Sequence, residues 1–161
     1  MSTQFRPTAG GPRITGLLNM ALDRAIGHVN GEVAAQHPEL RPAHLQLFRT
    51  GSLQGLRVTE LAARTGMTKQ AMHELVRHLE KHDYLHRTVD PDDERARRIE
   101  LTDRGSALEK DVAAASARLH LRWQDQLGDE LFRALWTALG ELTGQAGEPP
   151  SRADLERRAQ A

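Results

Sequence analysis

The feature that most constrains this chain is a change of hydrophobic period at Tyr84. Upstream, Ala71, Met72, Leu75, Val76 and Leu79 form one apolar stripe at helical spacing, in a helix that Thr68 is placed to cap and that runs to about His82. Downstream, Leu85, Arg87 and Val89 alternate with His86 and Thr88, and Arg98-Ile99-Glu100-Leu101 follows the polar stretch Asp90-Pro91-Asp92-Asp93. A period of two on both sides of a turn-rich segment predicts a β-hairpin, here with a long tip. Before Thr68, a short helical segment from Val58 to Thr65 turns Leu61 and Ala62 inward and halts at Gly66. The order is therefore helix, tight turn, helix, hairpin. At Ala62, Gly66 and Met72 it has the residue types that such a helix pair needs: a small residue at the crossing, glycine at the turn, and an apolar residue packing back.

The flanks are helical. Ile14, Leu18, Ala21, Leu22, Ala25, Ile26, Val29 and Val33 predict a long first helix stopped near His37-Pro38, and a second runs from Pro42 to Leu53. Thr102 caps a long helix carrying Leu108, Val112, Ala115, Leu119, Trp123 and Leu127. A last helix from about Asp129 to Thr143 places Leu131, Leu135, Trp136, Leu139 and Leu142 on one side, and Gly144 ends it. The fold class is mainly α: a helix-turn-helix with a wing of two to three strands on a helical frame. The organisation expected is a flexible arm at 1–13, frame helices at 14–56, the reading lobe at 57–102, further frame helices at 103–146 and a flexible tail at 147–161. The apolar faces of the first and last two helices are wider than three short strands can cover. A second copy of the chain is the economical cover, with an intramolecular helical bundle as the alternative.

Composition narrows the function. The 161 residues carry 22 basic and 22 acidic side chains, so any nucleic-acid affinity depends on where the charges sit. There is no cysteine, which excludes disulfides, thiolate nucleophiles and thiol redox sensing. The absence of an apolar leader and of any long apolar run predicts a cytoplasmic protein with no membrane partner. No phosphate-binding glycine loop or serine elbow is present, and Ser52 and Ser106, though beside glycines, fit a loop and a helix start. Neither an enzyme nor a cofactor is expected.

The polar face of the second helix of the pair carries Thr68, Lys69, Gln70, His73 and Arg77 toward its front and outer side, where base edges are read. Gln70 can pair with adenine, Lys69 with guanine or a phosphate, and Thr68 with a phosphate. The same side chains also suit a solvated face. In the hairpin, Arg95, Arg97 and Arg98 crowd one arm opposite Asp90, Asp92, Asp93 and Glu94. This is either a salt-bridged loop or an arginine-bearing tip fitted to the minor groove. Glu74, His78 and His82 stand at steps of four, a spacing able to hold zinc, but no further ligands are evident and no metal site is assigned. A protein-binding module without specific DNA affinity and a metal-responsive regulator remain the alternatives.

The run LAARTGMTKQAMHELVRHLEKHDYLHRTVDPDDERARRIELTDRG, Leu61 to Gly105, resembles the core of the MarR family of bacterial transcriptional regulators. Asp93-x-Arg95 and Leu101-Thr102-x-x-Gly105 carry most of the resemblance, and Glu74 and Glu94 stand where the family often has basic residues. The resemblance implies a homodimer on a pseudo-palindromic operator, with the helix after Thr68 reading bases, Arg95 entering the minor groove and Asp93 orienting it. It further implies a repressor responsive to a small aromatic or phenolic effector. The effector would sit between frame and lobe, with Met20, Arg24, His28, His44 and Phe48 as candidate lining residues.

Overall fold

The structure, a computed structural model, describes residues 13–49, 51–145 and 147–160. The arm expected over 1–13 lies, except for Arg13, outside the described residues. Seven helices and two strands follow in order: α1 (Ile14–Ala34), α2 (Pro42–Arg49), α3 (Val58–Thr65), α4 (Lys69–Lys81), β1 (Leu85–Asp90), β2 (Asp93–Leu101), α5 (Asp103–Leu127), α6 (Asp129–Thr143) and α7 (Arg152–Ala159). The mainly helical fold with a β wing is the one expected.

The helix boundaries around the lobe have local causes. Gly66 adopts φ +66 after α3, a conformation that costs a Cβ-bearing residue energy, and this turns the chain into α4. Thr68 Oγ1 accepts the Ala71 N–H at 3.2 Å and starts α4, and Thr102 Oγ1 accepts the Gly105 N–H at 3.1 Å and starts α5. Met72, Val76 and Leu79 on α4 join Leu61, Leu85, Ile99 and Leu108 in one buried core, which also takes Leu45 and Leu47 from α2 and Val29 and Val33 from α1. Each such side chain contributes about 1.5–3 kcal/mol by leaving water.

Three expectations are corrected. First, α2 spans Pro42–Arg49 and does not reach Leu53. Leu53 is instead buried in the segment that crosses to the wing, where Gly55 donates to the Ile99 carbonyl at 2.8 Å and Ile99 donates to Leu56 at 2.9 Å. An isolated bridge between Arg57 and Arg98 completes this third edge, so the wing is two strands plus one bridge. Second, the hairpin tip is short. Pairing runs from Leu85 with Leu101 to Val89 with Arg97, and an irregularity then lets Asp90 pair with Asp93. Third, the tail expected to be flexible over 147–161 contains α7, which lies along α5. Ser151 caps it through the Asp154 N–H at 3.2 Å, and Leu155 is 1% exposed. Arg118 bridges this end of the molecule, with Nε 2.6 Å from Glu32 Oε2 and Nη1 donating to the Ala159 carbonyl at 2.7 Å.

Much of the frame's apolar surface remains uncovered within the chain. Ile14, Leu17, Leu18, Met20 and Leu22 are exposed along α1, and Leu131 and Leu142 on α6, with Ile14 at 72% and Leu142 at 77%. Among the described residues no helix is long and apolar enough to cross a membrane.

Candidate nucleic-acid interface

On α4 the core side is Met72, Val76 and Leu79, and the opposite side is Lys69, Gln70, His73 and Arg77, all exposed. None of these four has a hydrogen-bond or ion-pair partner among the described residues, so their donors are available to a ligand. At the helix start, the Thr68 oxygen takes the Ala71 N–H, which leaves the hydroxyl hydrogen to donate outward. The early backbone N–H groups of α4 point the same way, as at any helix N-terminus, and favour an anion there.

The wing arginines divide by what holds them. Arg98 and Arg57 clamp Asp90, whose carboxylate is buried: Arg57 Nε lies 2.6 Å and Arg98 Nε 2.8 Å from Oδ2, while Oδ1 accepts the Asp92 N–H at 2.9 Å. Burial alone raises a carboxyl pKa. Here the hydrogen bonds from Arg57, the Asp92 N–H and Arg98 outweigh it and hold Asp90 well below the usual carboxylate range. Arg98 also reaches Asp92 at 2.6 Å. Arg97 folds back on the wing's own backbone, its Nη1 donating to the Glu94 and Ala96 carbonyls at 3.0 Å. Arg95 is exposed, and its guanidinium has no partner among the described residues. Asp93 does not hold that guanidinium: its Oδ1 accepts the Arg95 backbone N–H at 3.1 Å and its Oδ2 stands 3.9 Å from Arg57. Asp93 therefore shapes the turn that presents Arg95 and leaves the side chain undirected.

Sequence reasoning grouped Asp90 with the other wing carboxylates and did not single out Arg57. The irregularity after Val89 resets the in–out alternation, so period two gives no sign that Asp90 is buried. Arg64, exposed in the last turn of α3, is another cation on the lobe that was not selected.

The effector candidates are dispersed. His44 and Phe48 are buried in the core, Met20 and Arg24 face solvent on α1, and His28 lies 2.9 Å from Glu32. None of them lines the clefts at α6, one of which opens between Gln124, Phe132, Arg133 and the Gly147–Arg152 segment. One chain thus does not gather the five. Among the described residues no group of three or more carboxylate or imidazole side chains is arranged for a metal ion. His78 instead donates from Nε2 to the Glu39 carbonyl at 3.1 Å.

A sequence model of the MarR family matches residues 40–96, from the start of α2 through the wing bulge. Over this segment the winged-helix lobe is similar to that of the MarR family. Solved MarR-like structures extend the likeness beyond that segment. The repressor CouR bound to a 23-mer DNA duplex is 25% identical, with a TM-score of 0.66 over 81% of this chain and 92% of that one. CouR from Rhodococcus jostii RHA1 bound to p-coumaroyl-CoA is 23% identical, with a TM-score of 0.67 over 84% and 95%. The Mycobacterium tuberculosis MarR-family protein Rv2887 in complex with salicylic acid is 25% identical, with a TM-score of 0.64 over 84% and 99%. No curated protein sequence matches the chain. These structures are covered almost end to end, so the MarR-like fold includes the frame helices as well as the lobe.

Proposed function

We propose that this protein is a cytoplasmic transcriptional regulator of the MarR family that binds a pseudo-palindromic operator in double-stranded DNA as a homodimer. The observation that carries this is the division of the lobe's polar side chains. Arg57 and Arg98 are locked on a buried carboxylate, whereas Lys69, Gln70, His73 and Arg77 on α4 and Arg95 on the wing project from a rigid support with their donors unengaged. A helix N-terminus with Thr68, Lys69 and Gln70 suits the major groove, and an extended arginine suits the narrow, strongly negative minor groove. The uncovered apolar rows of α1 and α6 supply the surface for a second copy.

The lobe carries equal numbers of basic and acidic residues between Arg57 and Arg104, so affinity rests on this local stripe. A small aromatic effector, a class to which the salicylic acid bound by Rv2887 belongs and of which the p-coumaroyl-CoA bound by CouR is a thioester-linked counterpart, fits this reading as the signal that releases DNA, with its pocket completed at the junction of frame and lobe. Selection from a randomised duplex pool tests the proposal. Enrichment of an inverted repeat with half-sites about one helical turn apart supports it. Uniform binding that vanishes as salt rises contradicts it and favours a protein-binding module.

A further inference from the structure

Where the frame meets the lobe, three histidine rings stack. His44 of α2 lies on His78 of α4 with centroids 4.2 Å apart and planes within 14°, and His78 lies against His82 at 4.4 Å. His44 is 3% exposed. Its Nδ1 accepts the backbone N–H of Arg41, the residue preceding α2, at 2.9 Å. In a capping box a Glu or Gln at the third helical position makes this bond, and in this chain a histidine does so. A ring nitrogen that accepts a hydrogen bond carries no proton, so the geometry belongs to the neutral imidazole with its hydrogen on Nε2.

We propose that His44 is a proton-sensitive latch between α2 and the reading helix α4, closed while its imidazole is neutral and opened when a proton on Nδ1 displaces the Arg41 N–H. Its regulatory consequence, weaker DNA binding on acidification, rests on the DNA-binding reading above.

Three effects oppose the proton. Two donors would face each other at Arg41, a cation would sit at the positive end of α2, and the charge would be buried against His78. Burial first, and then the nearby His78, Arg41 and His82, push His44 from 6.5 down to about 4. The other charged or titratable groups around the stack are engaged elsewhere. Glu39, in the loop before α2, accepts from Tyr84 Oη and from Arg104 of α5, and its carbonyl takes His78. Arg104 also donates to the His82 carbonyl at 2.8 Å. Beyond Tyr84, His37 lies between the Tyr84 hydroxyl at 2.7 Å and Asp111 of α5 at 3.0 Å. On α4 itself Glu74 and Lys81 are exposed. Among the described residues no carboxylate bonds the His44 ring to compensate a charge.

The direction follows from the lowered value: the closed latch contributes fully above about pH 6.5 and loses its contribution as pH falls toward 4. Between pH 7.5 and 5.5 the closed state should weaken on the order of tenfold.

The test uses the full chain without DNA, so its failure is distinct from a failure of operator selection. Amide hydrogen exchange, corrected for intrinsic rates, is followed at Arg41 and His44 through Phe48 at pH 7.5 and 5.5. The wild type should lose about tenfold in protection, and His44→Gln, which keeps an acceptor but does not titrate, should lose less than about twofold. Equal acid sensitivity in both proteins, or none in either, overturns the proposal. Should the variant not fold, a ring-proton NMR titration of the wild type decides. A His44 midpoint far below the ordinary histidine value, accompanied by loss of Arg41 amide protection, supports the latch, and a midpoint at the ordinary value overturns it.

Discussion

Tyr84 and Gly105 meet backbone to backbone: a Cβ on Gly105 would overlap the Tyr84 carbonyl oxygen and come 2.9 Å from its carbonyl carbon. The same carbonyl accepts the Thr102 N–H at 3.2 Å, so the end of α4, the start of β1 and the first turn of α5 are fixed to one another at this point. Through it the reading lobe is joined to the frame.

Gly105→Ala should therefore cost about 3 kcal/mol, because the clash is with backbone and no flexible side chain can yield. Urea denaturation measures this. A loss below about 0.5 kcal/mol would mean that α5 shifts freely against Tyr84 and that the junction is not rigid.

Asp90 holds the wing through Arg57 and Arg98, and Asp90→Asn removes the charge that both guanidiniums face. Limited trypsin digestion should cut the variant after Arg95, Arg97 or Arg98 roughly tenfold faster than the wild type. Because the Asp90 carboxyl is held low, its contribution is complete above the ordinary carboxylate range and is lost only as pH falls below it. The difference between variant and wild type should thus be constant from pH 6 to 8, and a difference that grows with pH in that window counts against the clamp.

Leu155 anchors α7 on the frame. Leu155→Ala should destabilise the protein by about 2–3 kcal/mol, while a substitution at the exposed Arg157 of the same helix should change stability by less than about 0.5 kcal/mol. Thermal or urea unfolding of the two variants separates a docked helix from a loose one, for which neither change matters.

How far the sequence reveals this molecule depends on how local each cause is. Gly66, Thr68 and Thr102 act within one turn, and the helices they bound are legible from spacing alone. The wing register is less so, because the irregularity between Val89 and Asp90 breaks the alternation that period-two reasoning relies on. The buried pairing of Asp90 with Arg57 spans 33 positions and leaves no pattern in the sequence. Gly144 marks the end of α6 legibly, but Pro149 and Pro150 beyond it conceal α7, which rests on the Ser151 cap and a single buried leucine. His44 illustrates a role hidden by residue type: a histidine at a position where Glu or Gln usually caps does not announce itself as a cap. The spread of the effector candidates has a similar origin, since helical spacing tells which residues share a face but not which faces meet.

The most direct test of the central claim is a salt-dependent binding titration of a selected duplex with the wild type, Lys69→Ala, Arg95→Ala and Arg122→Ala. Arg122 is exposed on α5, outside the lobe, and serves as the control. Lys69→Ala and Arg95→Ala should each weaken binding by about 1–3 kcal/mol and flatten the salt slope by about one, while Arg122→Ala leaves both unchanged. If Arg95→Ala and Lys69→Ala bind as the wild type does at every salt concentration, the wing and α4 do not contact DNA and the account is wrong.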